Sequence, residues 1–246
     1  MTEVTTADGV AEAWLSRPDD GGAHPGVLMF MDAIGLRPRI FEMADRIASW
    51  GYVVLAPNVF YREASVAEAA PDGPLDTQEK REAFFQVAMP RVGALTPDKA
   101  LPDIDAYLGA LTARDDVTSP VGVVGYCMGA RLAVRAASNH PDIVAACGGF
   151  HGGGLATEAP DSPHLGLATA RARFVFGHAD NDGSMGPDAI ERLGRALDDA
   201  GLEATQNVYP GAAHGYSMAD TAVYHEEAAE RHFSELRALL GATLRG

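Results

Sequence analysis

Short apolar runs alternate along the chain with amphipathic stretches of helical periodicity. The apolar runs are rich in β-branched residues, which is typical of strands buried on both faces of a sheet. They cover residues 27–31, 52–56, 121–125, 143–147, 173–177 and 205–209. The helical stretches cover residues 40–49, 77–87, 100–111, 129–138, 188–200 and 222–240. This alternation predicts an α/β fold in which a mostly parallel sheet carries helices on both faces.

Three further segments refine this prediction. Residues 11–16 form a short alternating run that fits an antiparallel strand at the edge of the sheet. Residues 61–74 are rich in Ala, Pro, Gly and Asp, and residues 152–163 form a Gly/Pro loop. Both loops follow strand ends on the face where α/β sheets carry their sites, so we expect them to be functional or mobile.

Composition and charge narrow the class of protein. The chain has 246 residues, 47% of them hydrophobic, which is enough for one α/β domain over residues 1–246. Its net charge of −15 argues against nucleic-acid and anionic-membrane partners. No apolar run reaches the roughly 20 residues of a membrane span, and MTEVTTADGV at the start lacks the features of a signal peptide. We therefore expect a cytoplasmic protein, with Cys127 and Cys147 as thiols.

The turn G-x-C-x-G, residues 125–129, carries the strongest chemical signal in the sequence. It lies between a β-branched run and a helical run, which is the context of a nucleophile elbow. The two glycines flank Cys127 because the strained turn has no room for a Cβ at either position. The Met128 N–H would begin the helix and could donate to an oxyanion. Cys147 lies in an apolar run without such a turn, so we expect it to be a packing residue.

A thiol nucleophile needs a base, and the base needs an acid to orient it. In α/β-hydrolases the acid follows the nucleophile in the chain and the histidine comes last. His214 lies just past the last predicted strand in a Gly-rich turn, and Asp182 lies in the loop after the strand at 173–177. Asp180 in the same loop is the alternative acid. No spacing typical of a metal site is present, so we expect neither a metal nor a cofactor.

Together these motifs resemble the dienelactone hydrolase family, α/β-hydrolases with a Cys-Asp-His triad. The resemblance covers nearly the whole chain and rests on GVLMFMDAIG at 26–35, ASWGYVVLAP at 48–57, the elbow, and AHG at 213–215. It implies that Asp32, where the best-known members have glutamate, holds the resting thiol and helps to ionise it. It also implies that the Ala33 N–H is the second oxyanion donor beside that of Met128.

The resemblance also implies a site for a substrate carboxylate, with changes in this chain. Arg81 matches one of the arginines that bind the carboxylate. The family tyrosine four residues further on falls on Phe85, and the second arginine falls on Met218. Tyr61, Arg62, Arg37 or Arg39 could take the place of the missing anchors, and Phe150 and His151 are further candidates for contact with the substrate. The missing anchors leave open a substrate that carries less charge.

Three functions remain in competition. The first is a hydrolase that cleaves an ester or lactone, an enol-lactone above all, through a thioester on Cys127. The second is a general carboxylesterase or thioesterase, and the third is a relative that binds a small molecule without turnover. A thiolate leaves more readily than a simple alkoxide, so thiol chemistry favours enol, aryl or thiol leaving groups.

Overall fold

An eight-stranded sheet forms the centre of the protein, whose computed structural model describes residues 1–245. The spatial order of the strands is β1-β2-β4-β3-β5-β6-β7-β8. They are β1 (Thr2–Thr6), β2 (Gly9–Ser16), β3 (His24–Phe30), β4 (Val53–Pro57), β5 (Val117–Tyr126), β6 (Val144–Phe150), β7 (Arg173–Ala179) and β8 (Ala204–Tyr209). Strands from β4 to β8 pair in parallel, whereas β1 and β2 form an antiparallel edge. The predicted, mostly parallel α/β sheet is therefore confirmed.

Seven helices and one 3₁₀ segment cover the described part of the sheet. The helices are α1 (Pro38–Ala48), α2 (Val66–Ala69), α3 (Gln78–Ala94), α4 (Pro97–Thr112), α5 (Met128–Asn139), α6 (Pro187–Asp199) and α7 (Glu226–Leu244), and the 3₁₀ segment is Pro163–Thr169. α5 packs on β5 and β6 beside α4, and α7 packs on β5, β6 and β7. An ion pair between Arg46 and Glu230 joins α1 to α7.

The local sequence explains the central packing. β4, with the sequence VVLAP, is buried along its whole length, as expected of a strand covered on both faces. The buried side of α5 is rich in alanine, which lets this helix lie close to the sheet. Glycines on β6 complete the fit, since a Cβ at Gly149 would lie 2.8 Å from the Phe176 ring.

The N-terminal edge is larger than the sequence analysis predicts. The strand predicted at 11–16 is present as β2, but β1 precedes it in a hairpin where Thr6 pairs with Gly9. The predicted helix at 77–87 continues as α3 to Ala94 and includes Pro90. Among residues 1–245, no helix is both long and apolar enough to cross a bilayer.

Candidate active site

The turn at Cys127 has the backbone of a nucleophile elbow. Cys127 lies between β5 and α5 with φ 55° and ψ −120°, a conformation that is rare for a residue with a side chain. A Cβ on Gly125 would lie 2.1 Å from the Gly129 carbonyl oxygen, and a Cβ on Gly129 would lie 2.4 Å from the Met31 oxygen. Both glycines are therefore required by close contacts, and the turn presents a half-buried thiol at its apex.

The turn at Cys127 and the loop after β3 each present a backbone N–H group that has no acceptor among residues 1–245. The first is Met128 N, at the start of α5. The second is Ala33 N, in the loop after β3. In that loop Ile34 N donates to Asp32 Oδ1 at 3.0 Å and Gly35 N donates to the Asp32 carbonyl at 3.2 Å, whereas the Ala33 N–H has no acceptor. These are the two donors that an oxyanion would require.

His214 and Asp182 form a short hydrogen bond. His214 Nδ1 lies 2.6 Å from Asp182 Oδ2, and both the backbone N and the Oγ of Ser184 donate to Asp182 Oδ1, at 2.8 and 2.7 Å. Burial raises the pKa of Asp182, but the hydrogen bonds from His214 and Ser184 outweigh it and lower that pKa to about 2. Asp182 is therefore a carboxylate at neutral pH and holds one edge of the imidazole.

The alternative acid has a different partner. Asp180 Oδ2 accepts a hydrogen bond from Gly211 N at 2.9 Å, and Asp180 N donates to the Ala212 carbonyl at 2.7 Å. Asp180 thus holds the chain that leads to His214. The structure brings Asp182, and not Asp180, to the imidazole.

The Cys127 thiol lies near enough to His214 to affect its pKa. Burial lowers the pKa of His214, but the interactions with Asp182 and Cys127 outweigh this and raise the pKa to about 10. His151 is completely buried behind it, with the two ring centroids 5.4 Å apart. Burial is the main cause that holds the pKa of His151 well below its ordinary value, and the nearby charge of His214 is the second. His151 is therefore neutral while His214 carries the charge.

Asp32 is placed differently from the prediction. Its side chain is 5% exposed, and its Oδ1 and Oδ2 accept hydrogen bonds from Arg37 at 2.7 and 3.2 Å. The expected partnership between Asp32 and the Cys127 thiol is not present. The physical reason is the buried guanidinium of Arg37, which binds both oxygens of the carboxylate.

Two of the predicted substrate-binding residues, Arg81 and Phe85, lie next to each other, and Arg81 reaches the loop of His214. Arg81 is half-buried on α3, and its Nη1 reaches to 3.9 Å from the Cβ position of Gly215, the neighbour of His214. Burial lowers the pKa of Arg81, while the charges of Asp32 and Cys127 act in the opposite direction. The Phe85 ring lies 5.5 Å from the Arg81 guanidinium. Among residues 1–245, the Arg81 side chain has no acidic partner, so it is available to an anion.

The structure places the four other predicted substrate contacts differently from the prediction. Phe150 and Met218 belong to the hydrophobic core, at 0% and 1% exposed, and the Phe150 ring packs on Tyr126 behind the elbow. The Tyr61 hydroxyl donates to Asp103 on α4 at 2.9 Å, which ties the loop after β4 to that helix. His151 lies next to His214 as expected, but it is fully buried and its Nε2 bonds to the Ser217 hydroxyl at 2.8 Å.

Sequence reasoning does not find the roles that Ser184 and Arg37 have at the site, and it offers Arg37 only as a substitute anchor for the substrate. Ser184 binds the Asp182 carboxylate. Its position two residues after Asp182 is the typical spacing of an Asx turn, and this spacing is a sequence signal for the contact. Arg37 carries no such local signal, because one of its two partners, Asp220, lies 183 positions away. Within residues 1–245, no group of three His, Cys, Asp or Glu side chains is arranged to hold a metal ion.

The sheet order, the elbow and the acid–histidine pair after β7 and β8 define an α/β-hydrolase fold. The model of the dienelactone hydrolase family matches residues 11–244, and the chain belongs to that family of hydrolases.

Named relatives agree with this assignment. A carboxymethylenebutenolidase of Rhodococcus opacus is 26% identical over 227 residues, which cover 92% of this chain and 83% of that protein. The crystal structure of a candidate dienelactone hydrolase from Klebsiella pneumoniae superposes with a TM-score of 0.82 at 22% identity, covering 98% of this chain and 96% of the other. A dienelactone hydrolase-like promiscuous phosphotriesterase from metagenomic libraries gives a TM-score of 0.78 at 19% identity, covering 98% and 97%. At these identities the two structures establish the fold.

Proposed function

We propose that this chain hydrolyses an activated ester or lactone, with an enol-lactone as the preferred class, through a thioester on Cys127. The observation that carries the proposal is the bond of 2.6 Å between Nδ1 of His214 and Oδ2 of Asp182, made by a histidine whose pKa is raised by that carboxylate and by the nearby elbow thiol. A thiol, a base and an orienting acid in this arrangement are the requirements for nucleophilic acyl transfer.

The first half of the reaction forms the thioester. The Cys127 thiolate attacks the carbonyl carbon, and the N–H groups of Ala33 and Met128 bind the oxyanion. Each such donor contributes about 3–4 kcal/mol in enzymes where one has been removed. The tetrahedral intermediate then expels the enolate or phenolate oxygen, which receives a proton from the His214 imidazolium.

The second half regenerates the thiol. Neutral His214, oriented by Asp182, takes a proton from water, and the resulting hydroxide attacks the thioester carbonyl. The thiolate leaves, and His214 retains the proton that pairs with it. The neutral, buried His151 behind the ring adds no charge that would oppose the imidazolium.

The substrate class follows from the leaving group and from Arg81. A thiolate expels an enolate or phenolate more readily than an alkoxide, so activated esters are favoured. The unpaired guanidinium of Arg81 fits a substrate carboxylate. This agrees with the name of the Rhodococcus opacus relative, a carboxymethylenebutenolidase. The second candidate function is an esterase for less charged substrates, and Phe85, which lacks a hydroxyl, and the buried Met218 favour it.

One experiment separates these functions. Hydrolysis of cis-dienelactone and of p-nitrophenyl acetate is measured for the wild type, Cys127→Ala, Arg81→Met and the control Cys147→Ala, which changes a thiol buried in β6. We expect Cys127→Ala to abolish both activities and Cys147→Ala to retain both. Arg81→Met should raise KM for dienelactone and leave that for the acetate unchanged.

The pattern of losses assigns the substrate. Turnover of the acetate alone, lost in Cys127→Ala, would support the esterase. Full activity of Cys127→Ala would overturn the thioester mechanism. Activity on neither substrate would favour a relative that binds a ligand without turnover.

A further inference from the structure

A single buried guanidinium joins the two loops that carry catalytic groups. Arg37 precedes α1, and its side chain is 2% exposed. It binds Asp32 at 2.7 and 3.2 Å, and through Nε and Nη2 it binds Asp220 at 2.6 and 3.1 Å. Asp220 lies in the segment that follows His214. Both carboxylates are therefore held by two hydrogen bonds each, an arrangement that fixes orientation as well as distance.

The Asp32 side of this cluster shapes the oxyanion loop. Arg37 Nη1 also donates to the Gly35 carbonyl at 3.0 Å, and Asp32 Oδ1 also accepts from Ile34 N at 3.0 Å. These bonds hold the backbone of residues 32–35 in an arrangement in which the Ala33 N–H has no acceptor. The position of that N–H thus depends on the Asp32 carboxylate staying bound to Arg37.

The Asp220 side connects to a third element of the site. The Asp220 carbonyl accepts from Leu75 N at 3.2 Å, and Ala222 N donates back to the Leu75 carbonyl at 3.0 Å. Leu75 begins the segment that enters α3, the helix that carries Arg81. The loop of Ala33, the loop of His214 and the entry to α3 therefore meet at this guanidinium.

We propose that Arg37 is a positioning residue that sets the oxyanion donor Ala33 N–H relative to Cys127, with Asp32 and Asp220 as its two counter-ions. Asp32 then acts on the reaction through Arg37 and the loop, without contact with the thiol. The inference rests on the proposed function, because an oxyanion forms only when the thiolate attacks a carbonyl.

Two reactions of the same thiol test this role. Hydrolysis of p-nitrophenyl acetate forms an oxyanion. Alkylation by iodoacetamide does not, since the thiolate sulfur bonds to the methylene carbon as iodide leaves. Asp220→Asn, at a carboxylate that is 32% exposed, should lower kcat about tenfold with KM within twofold. Its alkylation rate and the pH profile of that rate should match the wild type.

Asp32→Asn separates positioning from direct activation of the thiol. We expect a fall in kcat of at least tenfold with an unchanged pH profile of alkylation. The matched control is Glu230→Gln, which removes one carboxylate from the Arg46 pair between α1 and α7 and should leave both reactions unchanged. Thermal unfolding is measured for each variant as a check that the chain remains folded.

Two results would overturn the inference. One is a shift of the alkylation profile in Asp32→Asn, since that variant would then have lost a direct partner of the thiol. The other is an unchanged kcat in Asp220→Asn. Both of these results concern the variants alone. If the proposed function were wrong, the wild type itself would show no hydrolysis that depends on Cys127.

Discussion

Replacement of Asp182 by asparagine should disable His214 by changing which ring nitrogen carries the proton. Two donors of Ser184, its N and its Oγ, point at Asp182 Oδ1 at 2.8 and 2.7 Å. In Asp182→Asn only the amide oxygen can accept these bonds, so the amide NH₂ takes the place of Oδ2 and faces His214 Nδ1. A donor at that place requires Nδ1 to be unprotonated. The neutral ring then carries its proton on Nε2, facing the thiol, and cannot act as a base there.

The magnitude follows from the geometry of this bond. A hydrogen bond to a charged group contributes about 1.5–3 kcal/mol, and the reversed tautomer adds to that loss. In the Ser-His-Asp template the same substitution lowers kcat by about 10⁴. We therefore expect Asp182→Asn to lower kcat by roughly 10³–10⁴ with little change in KM. Ser184→Ala removes one of two donors to a carboxylate that remains in place, and should cost roughly two- to tenfold.

The assay is steady-state hydrolysis of p-nitrophenyl acetate, with ¹⁵N NMR of His214 to identify the tautomer. Asp180→Asn is the matched control, because the amide oxygen can still accept the bond from Gly211 N that Asp180 now accepts. It should retain wild-type kcat. The reasoning is refuted if Asp182→Asn stays within tenfold of the wild type, or if Asp180→Asn loses as much as Asp182→Asn.

The other predictions concern stability. Gly129→Ala would put a Cβ 2.4 Å from the Met31 oxygen and should lower the free energy of unfolding by about 3 kcal/mol or more in denaturant titrations. Gly241→Ala, where a Cβ on α7 meets open space, should raise the free energy of unfolding by about 0.5–1 kcal/mol. The folded-state pKa of Asp182 is lowered to about 2. This carboxylate therefore contributes about 2 kcal/mol to the free energy of unfolding above pH 4, and that contribution is lost as the pH falls towards 2. The pKa of His214 is raised to about 10, so its contribution to the free energy of unfolding is present below pH 6.5 and lost as the pH rises through 10. The free energy of unfolding of His214→Gln should not show this loss.

The central strands and the elbow could be predicted because their signals are local. A strand buried on both faces needs a continuous apolar run, as in VVLAP of β4, and an elbow needs its two glycines. The hairpin of β1 and β2 also has a local signal, the Asp8-Gly9 turn between alternating residues. The C-terminal half of α3 has no clear local signal for a helix, because Pro90 and a nearly even mixture of polar and apolar residues hide its helical period.

Side-chain direction at the strand ends could not be predicted from sequence. Phe150 and His151 are neighbours at the end of β6, and neighbouring side chains of a strand point to opposite faces. The Phe150 ring lies 4.8 Å from that of His232 on α7, whereas His151, with a positive φ of 37°, turns towards His214. Which of the two faces the site depends on that backbone angle, and no feature of the sequence reports it.

The role of Asp32 shows why a residue's position in a family motif does not fix its chemistry. To hold the thiol, the Asp32 carboxylate would have to leave Arg37, whose side chain is 2% exposed. Breaking a buried ion pair costs about 3–5 kcal/mol, whereas a hydrogen bond from a neutral thiol contributes roughly 1 kcal/mol. The carboxylate therefore stays with the guanidinium. In the proposed mechanism the groups that act on Cys127 are then His214 and the N-terminus of α5, and those are the groups that substitutions must disturb to change thiol reactivity.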